Sequence, residues 1–315
     1  MPSQVGVLSV KKDPMFRYKA FSEEIKQVFG QRVDRITLNV GMTCPNVDGT
    51  KAKGGCTFCQ DVSYLGASFK GRDSLYEQYT KALAYLEGRY PSEIYFAYFQ
   101  NGTNTYAPLS TLRSYYEEVI TYPKIKGLFI STRPDCINDE IVSLLSELNQ
   151  KTYLWIEMGV QSHRNDRLQQ INRAHTIEEF EEALQLLNQA KINVCAHVMI
   201  GLPGETREEN IEKALYFSRQ PICGLKIHNT VVFKGTPLQK QYDQKMYEPL
   251  TLEEYTHQCV DFIEHLRPDI TIARLNAHGP RHLTIAPLWS VNKMATMNAI
   301  HDELERRETW QGKKL

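Results

Sequence analysis

Excess charge and long apolar runs are both missing from this chain of 315 residues. Lysine plus arginine total 37 and aspartate plus glutamate total 37, so no whole-molecule field steers a polyanion, and any nucleic-acid contact needs a local patch. No apolar run approaches the roughly 18 residues a membrane helix requires. The opening MPSQVGVLSVKKDP lacks the basic–apolar–small order of a signal peptide. The expectation is therefore a cytoplasmic chain with no membrane partner. Thiols stay reduced in that compartment, so the seven cysteines do not read as disulfides. No low-complexity linker, fixed-period repeat or composition break marks a second domain. What is there is ordinary globular material. At 42% hydrophobic and 23% charged, the chain is no disordered tail, and it is long enough to bury a core without disulfide or metal staples.

Seven short apolar, β-rich runs occur at residues 32–40, 93–99, 127–131, 152–158, 193–200, 224–232 and 269–275. Amphipathic stretches separate most of them, at 74–87, 109–121, 138–150, 176–190, 206–219 and 252–266. Ser110 and Thr176, followed by polar or acidic residues, read as helix starts. Such alternation implies right-handed βαβ units and a parallel sheet. Six to seven units predict an α/β fold, a partial or open parallel (β/α) barrel over residues 31–285. Residues 1–30 and 286–315 then form short N- and C-terminal extensions. Barrel chemistry sits at the C-terminal ends of the strands, which is where the search for a site begins.

After the first run, residues 41–59 read GMTCPNVDGTKAKGGCTFC. Cys44, Cys56 and Cys59 stand in a C-x11-C-x2-C arrangement, and the last pair can bring two thiolates from one turn to one metal centre. On spacing alone three readings stand. A structural zinc site wants four ligands, and this loop offers no fourth Cys or His. Three thiolates with one position to spare suit a four-iron four-sulfur cluster. The third reading is spare buried thiols. Cys136, Cys195, Cys223 and Cys259 occur singly and read as core residues.

These motifs carry a resemblance. The cysteine loop with Phe58 inside it, GVQS at 159–162, INRAHT at 171–176, GLPGET at 201–206 and GPRHLTIAPLW at 279–289 resemble the radical S-adenosylmethionine (SAM) superfamily. More narrowly they resemble its YhcC/YtqA-type proteins, relatives of the radical domain of the Elongator catalytic subunit. The likeness implies that Cys44, Cys56 and Cys59 ligate a 4Fe-4S cluster whose fourth iron chelates SAM. It implies reductive cleavage of SAM, hydrogen abstraction from substrate carbon by the 5′-deoxyadenosyl radical, and an electron donor such as flavodoxin or ferredoxin.

Family position and residue chemistry together nominate the cofactor contacts. Arg173 offers a fork to the methionine carboxylate, while Gln161, Glu157 and Ser131 offer polar contacts to carboxylate or ribose. Phe58 packs on adenine, and Ile200 and Gly201 present backbone to it. Where many relatives carry an acidic segment for the methionine amine, this chain has Gln100 and Asn101, whose side-chain carbonyls offer acceptors without the acid. A strand-end Glu157 among Trp155, Ile156 and Met158 is costly to bury without a partner, which itself argues for a lumen role.

The substrate is read from local charge. Lys226, Lys234, Lys240 and Lys245, then Arg267, Arg274, Arg281 and Lys293, make the late strands basic, with Tyr98, Tyr106 and Trp289 nearby. A basic, aromatic rim can hold an RNA loop with one base splayed into the lumen. The resemblance favours a tRNA anticodon loop, with remodelling of a carboxymethylaminomethyl group on the wobble uridine toward aminomethyl. Tyr98, His197 and His228 are the candidates for proton transfer in the lumen. Two alternatives stand beside this: radical chemistry on a small metabolite or cofactor precursor, and a non-catalytic iron–sulfur carrier of electrons or clusters.

Overall fold

The computed structural model describes residues 17–60, 73–89 and 92–315, so the signal-peptide reading of the first 14 residues lies outside the described residues. The order is α1 (Phe21–Phe29), β1 (Asp34–Leu38), α2 (Leu75–Glu87), β2 (Tyr95–Phe99), α3 (Leu109–Val119), β3 (Ile125–Thr132), α4 (Asp139–Asn149) and β4 (Tyr153–Gln161). It continues through α5 (Asn165–Gln170), α6 (Ile177–Gln189), β5 (Asn193–Ile200), α7 (Arg207–Arg219), β6 (Gly224–Asn229), β7 (Val232–Phe233) and α8 (Pro237–Asp243). Last come α9 (Leu252–Glu264), β8 (Thr271–Arg274), β9 (Thr284–Ala286) and α10 (Lys293–Arg306). The main sheet has seven strands in the order β1-β2-β3-β4-β5-β6-β8, and every neighbouring pair is parallel. Because β1 and β8 do not pair, the barrel is open.

Alternation along each strand separates two cores. Residues such as Tyr95, Leu128, Ile156, Val198 and Ile227 face the helices and join the large outer core. Phe96, Phe129, Trp155 and Cys195 face inward and make an aromatic floor, closed from below by α1. Phe21 meets Trp155 edge-on at 5.4 Å, and Phe29 meets Phe96 at 5.3 Å. The segment before α1 also covers the open edge: Ile272 of β8 donates its amide to the Lys19 carbonyl at 2.8 Å. At the other end Gln311 is buried and accepts from the Lys19 amide at 2.8 Å. The described residues of both segments expected as extensions thus pack against the barrel.

Helix starts follow local chemistry. Ser74, Thr176, Thr206 and Thr251 each close a capping box with the glutamate three residues on. Ser110 does not cap: α3 begins at Leu109 behind Pro108, so Ser110 lies inside the first turn. The run at 224–232 is not one strand. Thr230 gives both its amide and its hydroxyl to the Ile200 carbonyl, which ends β6. Val232–Phe233 then turns away to pair antiparallel with β9. Cys195 and Cys259 are core thiols as expected, whereas Cys136 is only partly buried and Cys223 is exposed at the N-terminal end of the strands.

Candidate active site

The loop after β1 is built to hold three thiols at the mouth of the barrel. The Cys44 carbonyl accepts from the amides of Val47 at 2.7 Å and Asp48 at 3.1 Å, and Cys59 donates its amide to the Cys56 carbonyl at 3.0 Å. Asn46, fully buried, donates to the carbonyls of Asn172 at 2.6 Å and Arg173 at 3.0 Å. Asn172 reciprocates onto Gly55 at 2.7 Å. The cysteine loop and the INRAHT segment are therefore clasped by two asparagines that sequence reasoning passed over, since nothing local distinguishes them from loop polar residues.

Gly102 closes the loop from the other side. At φ +73° it carries no side chain where a Cβ would stand 2.1 Å from the Met42 carbonyl oxygen, and Thr103 donates to the Thr43 carbonyl at 3.0 Å. The backbone after β2 is pressed against the cysteine loop, and only glycine permits it. Gly102→Ala is expected to lower iron bound per chain by at least about half while leaving the barrel folded. Iron assay after anaerobic reconstitution, beside a thermal melt, checks this.

Cys44, Cys56 and Cys59 all line one cavity of about 540 Å³. Among the described residues, no three His, Cys, Asp or Glu side chains converge tightly enough for a single metal ion. Three thiols spread around a cavity mouth suit a multi-iron cluster better than a closed zinc knuckle. Two guanidiniums stand over them: Arg173 Nη1 is 3.5 Å from Cys56 Sγ, and Arg133 Nη1 is 4.0 Å from Cys44 Sγ. Arg133 is buried and forks onto Asp135 at 2.9 and 3.0 Å.

The structure brings nearly every nominated residue to this cavity. Phe58, Gln100, Asn101, Ser131, Gln161 and Arg173 line its upper part, with Tyr98, Glu157, His197 and His228 below. Phe58 packs on Ile171, Met199 and Leu202. Gln161 sits on a bulge of β4 with φ +76°, which aims its amide inward. A Cβ on Gly159 would meet Arg173 Nη2 at 2.8 Å and Gln161 Nε2 at 3.0 Å, so both polar groups crowd one bare stretch of wall. Arg173 is not an open fork, because Nη2 is held by the Gly159 carbonyl. Ile200 and Gly201 fall outside the cavity lining. The Ile200 side chain joins the outer core and its carbonyl is taken by Thr230. Gly201 donates to Glu205 at 2.9 Å and accepts from the Tyr247 hydroxyl at 2.8 Å.

Glu157 is the hub of the lumen. It is 1% exposed, and its Oε2 accepts from Tyr98 at 2.6 Å, from His197 Nε2 at 3.2 Å and from Lys226. Oε1 accepts from Arg35 at 3.3 Å. Burial alone would push this carboxyl up, but Lys226, Arg35 and His197 outweigh it and hold it well below the usual carboxylate range. Burial first, only partly offset by Glu157, brings Lys226 down to about 8. Burial and then Lys226 bring His197 down to about 4, and burial with His197, Arg274 and Lys226 holds His228 well below its usual value. Both imidazoles are neutral at pH 7. With the carboxylate ionised, His197 Nε2 carries the hydrogen. Tyr98 keeps its proton, held by burial and by Glu157. The expected ribose acceptor is instead the anchor of a buried cation cluster.

The rim changes too. Lys226 is buried in the lumen and Arg274 lines it. Arg267 serves the opposite end, donating to the Gln220 carbonyl at 2.8 Å and the Ile222 carbonyl at 2.9 Å. Trp289 stacks on Tyr255 and donates to the Leu250 carbonyl at 3.0 Å. Lys234, Lys240, Lys245 and Arg281 remain as exposed cations on and around β7, α8 and β9. Alternation could have found the lumen cations: Arg35, Lys226 and Arg274 each sit beside apolar strand positions, as Glu157 does.

Comparison with known proteins agrees with this geometry. Residues 49–215 match the radical SAM superfamily, and residues 222–306 match the radical SAM C-terminal domain. The chain is 38% identical over 297 residues to YtqA of Bacillus subtilis, covering 94% of this chain and 92% of that protein. It is 30% identical over 153 residues to a tRNA uridine(34) acetyltransferase of Dehalococcoides mccartyi, covering 47% of this chain but only 32% of that protein. The solved archaeal Methanocaldococcus infernus Elp3 superposes with TM-score 0.68 at 18% identity, over 89% of this chain and 64% of the longer one. Seven parallel strands in an open barrel are shared with that structure.

Proposed function

This chain belongs to the radical SAM superfamily, enzymes that use a 4Fe-4S cluster and S-adenosylmethionine, and on that premise we propose that it modifies the wobble uridine of tRNA. When bound, the cluster and SAM together supply a 5′-deoxyadenosyl radical that takes hydrogen from substrate carbon. The protein's part is placement and exclusion of water. Cys44, Cys56 and Cys59 hold the cluster. Gln100, Asn101, Ser131, Gln161 and Arg173 hold SAM against Phe58. An inert carrier of electrons needs none of the polar side chains that these strands turn into the lumen.

The observation that carries the substrate is the likeness, across almost half the chain, to an enzyme named for tRNA uridine 34. The lumen supports it: beyond the residues given to the cluster and SAM, the same cavity continues to Tyr98, His197, His228 and Arg274, polar side chains suited to the edge of a base. Lys234, Lys240, Lys245 and Arg281 supply exposed cations for the phosphates of an anticodon loop. The reaction assigned is remodelling of a carboxymethylaminomethyl group toward aminomethyl, with Tyr98, His197 and His228 around the reacting substituent. Flavodoxin or ferredoxin is the electron donor on this reading.

The test is anaerobic. Reconstituted enzyme with dithionite and SAM should release 5′-deoxyadenosine several-fold faster with tRNA from cells lacking this gene than with fully modified tRNA. Release indifferent to tRNA would discard the substrate and leave the radical chemistry standing, on a small molecule.

A further inference from the structure

We propose that Arg274 is the receptor for an oxyanion of the substrate, and, resting on the tRNA reading above, that this oxyanion is the carboxylate of the uridine substituent. Arg274 ends β8 and lines the cavity, in register with Lys226 on β6. The other cations of the site are engaged. Lys226 and Arg35 share Glu157, and Arg35 also lies 4.6 Å over the Phe129 ring. Arg133 is forked onto Asp135, and Arg173 is held by Gly159. Among the described residues the Arg274 side chain makes no hydrogen bond or ion pair.

Its surroundings deepen the imbalance. His228 and Lys293 both feel its charge, and in both the charged form is disfavoured, by burial first. Glu157 is the one carboxylate among the described lining residues, and it is already shared by two cations. A partly buried guanidinium without a counter-ion is an expensive arrangement, relieved by a ligand that brings its own negative charge. The planar fork of arginine matches carboxylate or phosphate through two parallel hydrogen bonds. A backbone phosphate would serve every RNA alike, and a carboxylate on the base would make the lumen selective for one modified nucleoside. The position of Arg274 on the strand layer of the lumen, beside Lys226, favours the carboxylate.

The experiment measures binding rather than turnover. Fluorescence anisotropy is read with reconstituted full-length enzyme and SAM, using anticodon stem-loops whose position 34 is uridine, 5-aminomethyluridine or 5-carboxymethylaminomethyluridine. Wild type should prefer the carboxylated loop by about ten- to a hundredfold, the range of a charge-assisted pair. Arg274→Gln should erase that preference, and Arg274→Lys should keep part of it, with circular dichroism and iron content confirming intact protein. A preference that survives Arg274→Gln overturns the assignment. Equal weakening of all three loops moves the oxyanion to the RNA backbone, and weakened SAM binding moves it to the cofactor; either overturns the carboxylate. The free nucleosides, carboxylated and not, are titrated in parallel. If no loop binds, the tRNA reading falls, while the nucleoside pair still decides Arg274: no carboxylate preference there, or one untouched in Arg274→Gln, overturns it.

Discussion

Glu157→Gln is expected to lower stability by about 3–5 kcal/mol near neutral pH, the cost of stripping one partner from a buried ion pair. Glutamine keeps the shape and loses the charge. Lys226, 1% exposed, is then left beside Arg35 and Arg274 with no anion in contact. Its answer is to shed its proton. The folded-state value of Lys226, already down to about 8, falls further in the variant, while the unfolded chain keeps the ordinary lysine value. The unfolded state then binds more protons, so the stability of Glu157→Gln rises with pH from the lowered folded value up to the ordinary lysine value of about 10.4. On the acid side the sign reverses. The wild-type carboxyl is held well below its unfolded value, so its contribution is present above about pH 4.3 and is lost as pH falls through the folded value. Glu157→Gln lacks that segment of the acid limb. Urea denaturation at pH 4, 6 and 9 reads both slopes. Glu157→Gln combined with Lys226→Met should recover most of the lost stability, because the pair is then replaced by groups of similar volume without charge. A single variant as stable as wild type at pH 6 would sink the view of Glu157 as the lumen's anchor.

Cys56→Ala is expected to reduce cluster loading and SAM cleavage to background while the barrel stays folded. Cys56 is buried, with Asn46 Nδ2 3.6 Å and Arg173 Nη1 3.5 Å from its sulfur, so it is the most enclosed of the three thiols. The loop that carries it contributes little to the apolar core, which lies between the strands and their helices. Loss of the thiol therefore removes a ligand without opening a large cavity. Cys223→Ser, at an exposed cysteine far along the chain from the loop, should keep full iron content. Iron assay, visible absorbance and 5′-deoxyadenosine release are compared across the pair. A Cys56→Ala protein that still cleaves SAM would overturn the ligand set.

Much of the molecule is written locally. Period-two alternation and four Ser/Thr–Glu capping boxes define strands and helices wherever short-range chemistry decides them. The spacing of Cys44, Cys56 and Cys59 is equally a matter of one loop. Glu157 was legible as a costly charge on an apolar strand, though not its partners.

What tertiary structure alone decided are the contacts between distant segments. The break at Thr230 depends on a carbonyl 30 residues away. The helix α1 was missed as the barrel's floor because its partners Phe96, Phe129 and Trp155 lie on three different strands. The Ile200 carbonyl is taken by Thr230 of the next strand's end, a contact no local pattern announces. Lys226 and Arg274 read as surface charge because composition counts lysines and arginines without knowing which way a strand faces. Inward orientation is fixed only when neighbouring strands pair in register, and that pairing turned Lys226 and Arg274 into the lumen, with Lys226 on the buried Glu157 carboxylate.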